Sequence, residues 1–100
     1  KKQERNTQNS LRIRMNTLEF KEEFFKSLNF IKNKNILASV HRKIEQLKDH
    51  VPIGKKLIHS PYWSIRVEKF RIIYRFKGSM VTIIRLLPRK YDYRELDLLE

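Results

Sequence analysis

Hydrophobic and polar residues alternate most regularly between Tyr62 and Tyr93, in a run dominated by Val, Ile, Phe and Tyr that also holds the single tryptophan, Trp63. Such side chains suit a pleated, half-buried surface, and the run reads as β-strand. Gly78 breaks it and predicts a hairpin turn at Lys77-Gly78-Ser79. Ser64 to Phe76 exceeds a usual strand length, so a second reversal is expected at Glu68-Lys69. A two-residue turn there sets Val67 against Phe70, Arg66 against Arg71 and Ile65 against Ile72. Period-two alternation then gives one face Trp63, Ile65, Val67, Phe70, Ile72, Tyr74 and Phe76, which is the core face. The other face receives Ser64, Arg66, Arg71, Ile73 and Arg75.

Before this run the period changes. Leu11 to Met15 alternates like a strand, the phase slips at Asn16-Thr17, and Leu18 and Phe20 alternate anew. The second piece is the better candidate for an edge strand, because it leads directly into a helix. Phe24, Phe25, Leu28 and Ile31 recur at helical spacing and predict a first helix over Lys21–Ile31, with Glu22 and Glu23 in its first turn. Lys32-Asn33-Lys34-Asn35 forms a short connection with asparagines suited to capping. Leu37, Val40, Ile44, Leu47 and Val51 then predict a second helix over Ile36–His50, ended by Pro52 and Gly54. The short connection makes the helices an antiparallel pair. The expected fold is α+β: an N-terminal strand, then an antiparallel helical hairpin packed on a twisted, mainly antiparallel sheet. Residues 1–15 read as a polar leader, with Met15 a candidate native start; residues 16–96 form a single domain and 97–100 an acidic tail. Tyr91 to Glu100 is expected to form a helical turn or two, or a tail.

Composition narrows the function. The 100 residues suffice for one domain with a core. With no cysteine there is neither a disulfide framework nor a thiolate metal site. No apolar run approaches the roughly 20 residues of a membrane span, and without a signal-peptide segment the expected compartment is the cytoplasm. The net charge of +12 is more telling. Residues 1–61 carry 14 basic and 6 acidic groups, residues 62–94 carry 9 and 2, and residues 95–100 carry three acids. Charge density therefore peaks in the expected sheet, and a polyanion, nucleic acid above all, is the natural partner.

Most catalytic chemistries lack their residues. His41, His50 and His59 stand nine apart, which is no ligand spacing on a helix face, so no metal and no cofactor are expected. Two glycines cannot build a phosphate loop, and no nucleophile elbow is present. What remains is arginine, lysine and tyrosine. Arg66, Arg71 and Arg89 come from three expected strands or strand ends, followed by Lys90, Tyr91 and Tyr93. Arginines directly across a ladder repel, unless an anion sits between them. Such a set suits a phosphodiester: arginine grips phosphate bidentately and tyrosine stacks on unpaired bases. With RNA, the substrate's own 2′-hydroxyl supplies the nucleophile, leaving charge stabilisation and proton transfer to the protein. From the residues alone, both a binding surface without catalysis and a nuclease remain open. Arg75, Arg85, Lys55, Lys56, Lys90 and Tyr91 are the candidate nucleic-acid contacts.

Ile65-Arg66-Val67-Glu68-Lys69-Phe70-Arg71-Ile72-Ile73-Tyr74 resembles the pattern of RelE/ParE-type toxins, in which a strand with a basic residue turns into an aromatic-Arg-aliphatic-x-Tyr strand. Leu87-Pro88-Arg89-Lys90-Tyr91-Asp92-Tyr93 is similar to that family's terminal arginine followed four residues later by tyrosine, and Gly54 and Leu57 fit its lead-in. The resemblance spans Leu18 to Leu96. It implies the toxin of a toxin-antitoxin pair. In the RelE branch that means a ribosome-dependent endoribonuclease cutting messenger RNA in the decoding site, with ribosome, mRNA and a cognate antitoxin as partners. It implies a monomeric toxin, and an oligomeric toxin-antitoxin complex that represses its own operon. By position, Arg71 matches a phosphate-stabilising arginine, Arg89 a second arginine on phosphate or leaving group, Arg66 a lysine used as base or stabiliser, and Tyr93 the stacking tyrosine, with Tyr91 in reserve. Ser64 stands where some members have a second lysine, Pro88 where many have histidine, and Glu68-Lys69 where the turn often contains glycine. The ParE branch implies instead a gyrase-inhibiting toxin that cuts no RNA. A catalytically degenerate member would retain binding alone.

Overall fold

The computed structural model describes residues 15–90. The leader before Met15, Tyr91, Tyr93 and the remaining segment to Glu100 lie outside the described residues. Seven elements follow in order: β1 (Thr17–Phe20), α1 (Glu22–Leu28), α2 (Lys34–Asp49), β2 (Lys55–Lys56), β3 (Trp63–Val67), β4 (Phe70–Lys77) and β5 (Met80–Pro88). They form one sheet in the order β1-β5-β4-β3-β2. β1 runs parallel to β5 and every other pairing is antiparallel.

The phase slip at Asn16 has a structural cause. Its backbone N–H donates to the Lys48 carbonyl at 2.8 Å and its side-chain amide to the Leu47 carbonyl at 2.8 Å. These are C-terminal carbonyls of α2 that have no partner within the helix. Asn16 therefore caps α2, and β1 begins only after it. At the other end of α2, the Asn33 side chain accepts from the N–H groups of Asn35 and Ile36, the N-cap geometry expected of that connection.

The first helix is shorter than its apolar spacing suggested. After Leu28 the chain tightens into bonds between residues three apart, Phe30 N–H to the Ser27 carbonyl and Ile31 N–H to the Leu28 carbonyl. That turn brings Ile31 into the core at 7% exposure and leaves Phe30 outside at 84%. Phe25, expected on the buried face, is exposed, since it stands about 100° around the helix from the buried Phe24. On α2, Val40, Ile44 and Leu47 are buried as expected.

Both helices lie on one face of the sheet, over Ile65, Val67, Ile72, Tyr74, Val81, Ile83 and Leu86. The predicted register of β3 and β4 is observed: Val67 pairs with Phe70, Arg66 with Arg71 and Ile65 with Ile72. β5 departs from simple alternation. Tyr74 pairs with Ile83 but Ile73 with Arg85, so Ile84 is an extra residue and β5 is bulged there. The bulge lets Val81 and Ile83 share the core face with Leu86, although Ile83 and Leu86 are an odd number of residues apart and an unbroken strand would put them on opposite faces.

The opposite face is not simply solvated. Ile73, Ile84, Leu87 and Tyr62 form a second, smaller core, with Leu57 packed against it. The 57–62 segment holds that cover in place through the Leu57 N–H to Tyr62 carbonyl bond and the Ser60 hydroxyl, which donates to the Leu57 carbonyl and accepts from the Tyr62 N–H. Ile73, read from periodicity as a member of a basic face, is wholly buried there.

Candidate nucleic-acid interface

The sheet face away from the helices collects the basic residues. Paired residues in a ladder project to the same side, with Cβ atoms about 4.5–5.5 Å apart. Arg66 and Arg71 are such a pair, across the turn-proximal end of β3 and β4. Arg71 in turn pairs with Leu87 and Ile73 with Arg85, which brings Arg85 to the same face. Without the Ile84 bulge, Arg85 would pair with Ile72 and point at the helices. One inserted residue thus turns Arg85, the arginine of β5, outward.

Past Pro88, the Arg89 N–H donates to the Lys69 carbonyl at 2.8 Å, which fixes the end of β5 against the β3–β4 turn. Lys69, Pro88, Arg89 and Lys90 line a pocket of about 470 Å³ at this corner. Arg66, Arg71, Lys69, Arg89 and Lys90 thus gather at one end of the basic face. The ion pairs Lys26–Glu23, His41–Glu45 and Lys48–Glu45 all lie on the helices, and none of the five takes part in one among the described residues. Arg71 is half-buried. Its Nη1 donates to the Ser64 hydroxyl at 3.5 Å, while its Nε, out of reach of solvent, has no hydrogen-bond partner.

The other expected contacts are more dispersed. Arg75 stands at the far end of β4, where its Nη1 donates to the Thr82 hydroxyl at 3.4 Å and that hydroxyl donates to Glu19 at 3.0 Å. Lys55 pairs with Ser64 and so sits on the basic face, whereas Lys56 pairs with Trp63 on the helix side of the edge strand; both are exposed. Tyr91 and Tyr93 lie outside the described residues. The sequence marks Lys69 only as a turn residue. Its position beside Arg89 depends on the bulge, which shifts the β4–β5 register by one, so counting from Gly78 could not reveal it.

On the opposite side of the molecule, Leu18, Phe20, Phe24, Leu28, Leu37, Val40 and Ile44 line an apolar groove of about 570 Å³. His41, Glu45 and Lys48 stand along its rim. Burial pushes the Tyr74 phenol above the usual tyrosine value, and its hydrogen bond to Ile53 acts in the opposite direction.

Residues 17–93 match the family described as the ParE toxin of the type II toxin-antitoxin system parDE. The chain belongs to this toxin family. Several solved structures share its fold. In the RelBE2 toxin-antitoxin complex from Mycobacterium tuberculosis, one chain superposes with a TM-score of 0.64 at 21% identity, over 79% of this chain and 97% of that one. The free E. coli toxin RelE, as an arginine-to-alanine double mutant, gives 0.63 at 13% identity, over 76% and 85%. The chromosomal ParDE system of P. aeruginosa gives 0.55 at 20% identity, over 75% and 97%. No curated protein matches the sequence. The toxin thus has the α+β architecture of these relatives, two helices on a five-stranded, mostly antiparallel sheet. None of its described helices is long and apolar enough to cross a membrane.

Proposed function

We propose that this toxin is a ribosome-dependent endoribonuclease that cuts messenger RNA in the decoding site. The observation that carries the reading is the cross-strand Arg66–Arg71 pair, uncompensated by any ion pair among the described residues, with Arg89 at the adjoining strand end. Two guanidiniums in this relation repel each other and attract a phosphodiester placed between them. The RNA 2′-oxygen attacks the adjacent phosphorus, its proton passes to a base, and the 5′-oxygen leaves with a proton. The products are a 2′,3′-cyclic phosphate and a 5′-hydroxyl. Arg71 and Arg66 stabilise the charge that develops on the non-bridging oxygens. Arg66 does not act as the base, because a guanidinium keeps its proton. Arg89 contacts phosphate or leaving group, and Tyr93 stacks on the nucleotide. No cofactor enters this chemistry.

A cognate antitoxin completes the system, as in the toxin-antitoxin complexes with which the fold compares. The apolar groove bordered by α1, α2 and β1 suits an amphipathic antitoxin helix. The toxin acts in the cytoplasm as a monomer, and the complex is an oligomer that represses its own operon.

Primer extension on a message translated by purified ribosomes tests the reading. Cuts within codons that vanish in Arg71→Ala support it, and an intact message refutes it. A second reading, gyrase inhibition without RNA cleavage, is favoured by the ParE name of the matching family and by the P. aeruginosa ParDE fold. A DNA supercoiling assay with purified gyrase reads it out.

A further inference from the structure

We infer that the corner pocket between the β3–β4 turn and the end of β5 is a second phosphate subsite, with Lys69 as its fixed cation. The inference rests on the reading of the basic face as a single-stranded RNA interface. Three of the four described residues lining the pocket are cations, Lys69, Arg89 and Lys90, the fourth is Pro88, and none is a carboxylate. Convergence of like charges from two chain segments is unfavourable until an anion occupies the space between them. The backbone holds them there: Lys69 sits in a two-residue turn between paired strands, and its carbonyl accepts from the Arg89 N–H at 2.8 Å. All three side chains are exposed at the pocket and make no ion pair among the described residues.

The position of the pocket relative to Arg71 suggests its ligand. Lys69 lies two residues before Arg71, and Arg89 lies two residues beyond Leu87, the partner of Arg71. Two strand residues span about 7 Å, comparable with the step between consecutive phosphates of an extended single strand. A free phosphate site would need no such neighbour. A phosphate held between Arg66 and Arg71 therefore places its neighbour at Lys69, and the subsite orients the RNA strand along the direction of β4.

The test uses the full chain and a labelled, uncleavable 2′-O-methyl oligoribonucleotide, with affinity measured as KCl is raised. Lys69→Gln is expected to lower the slope of log K against log salt by about 0.7, the share of one phosphate contact on a single strand. Arg71→Gln is expected to lower it likewise. Lys77→Gln, at the exposed last residue of β4, is expected to leave it unchanged. An unchanged slope in folded Lys69→Gln, with the slope reduced in Arg71→Gln, overturns the subsite and leaves the interface standing. Unchanged slopes in both overturn the interface as well. Inorganic phosphate at matched ionic strength is the last arm. Displacement beyond that by KCl, lost in Lys69→Gln, would assign the pocket to free phosphate and overturn the nucleic-acid assignment.

Discussion

The Tyr74 hydroxyl donates to the Ile53 carbonyl at 2.6 Å and accepts from the Ile53 N–H at 2.7 Å. One side chain from the centre of the sheet thereby satisfies both backbone groups of a residue in the loop after α2. Tyr74 is wholly buried, so no water can take its place. Tyr74→Phe leaves the packing intact and strands two backbone groups, at an expected cost of about 1–3 kcal/mol. Urea denaturation of the two proteins measures it.

The same phenol makes stability fall in alkali. Its folded-state acidity is weakened by burial, whereas in the unfolded chain it ionises at about pH 10. A group with a raised folded value stabilises fully below the unfolded value and loses that contribution as pH climbs towards the folded one. The stability advantage of the wild type over Tyr74→Phe is therefore expected to hold constant below about pH 10 and to shrink above it. Denaturation midpoints of both proteins across that range show whether it does.

Gly54 sits at φ +91°, and a Cβ built on it would lie 2.2 Å from the Ser64 carbonyl oxygen in β3. That neighbour is backbone of a paired strand and cannot swing away. Gly54→Ala combines left-handed strain with overpacking and is expected to cost about 2–5 kcal/mol. A loss well below this in the denaturation midpoint would mean that the 51–54 loop shifts freely.

Glu68 occupies the left-handed region at φ +55°, where a side chain is disfavoured. Glycine is at ease there. Glu68→Gly is expected to raise stability by about 0.5–1 kcal/mol, seen as a higher thermal midpoint. The substitution also removes the acidic group next to Lys69, so tighter RNA binding is expected alongside.

Arg71 and Arg75 lie on the same strand and face but are engaged differently. Arg75 reaches Thr82, which reaches Glu19, and so helps join β4, β5 and β1. Arg71→Ala is expected to lower ribosome-dependent cleavage by about 10²–10³-fold, the usual loss for a group that stabilises transition-state charge. Arg75→Ala is expected to leave cleavage within severalfold of the wild type and to lower the thermal midpoint instead. Equal losses of cleavage in the two variants would contradict this division.

The β3–β4 hairpin could be read directly from the chain. Its alternation is strict and its turn is short, so the pairing of Arg66 with Arg71 follows from period two alone. The helical stripe of Val40, Ile44 and Leu47 was equally plain, because spacing on one helix is a local property. The order of basic and aromatic residues also sufficed for the family. Other features depended on contacts between distant segments. Asn16 stops the alternation because it must cap α2, more than thirty residues later in the chain. Lys55 and Lys56 become a strand only because β3 offers them an unpaired edge. Ile73 is buried because Tyr62 and Leu57 fold over it from another loop.

The Ile84 bulge decides the most. In the sequence, Ile83 and Ile84 are equivalent apolar residues, and nothing local says which of them leaves the ladder. The choice is made by two cores at once: the helix side requires both Ile83 and Leu86, and the small core beneath Tyr62 requires Ile84 and Leu87. Satisfying both inserts one residue into β5. Arg85 turns outward as a result and Arg89 comes to rest beside Lys69. The identity of the basic residues was local information; their gathering at one corner of the sheet arose from packing on its two faces.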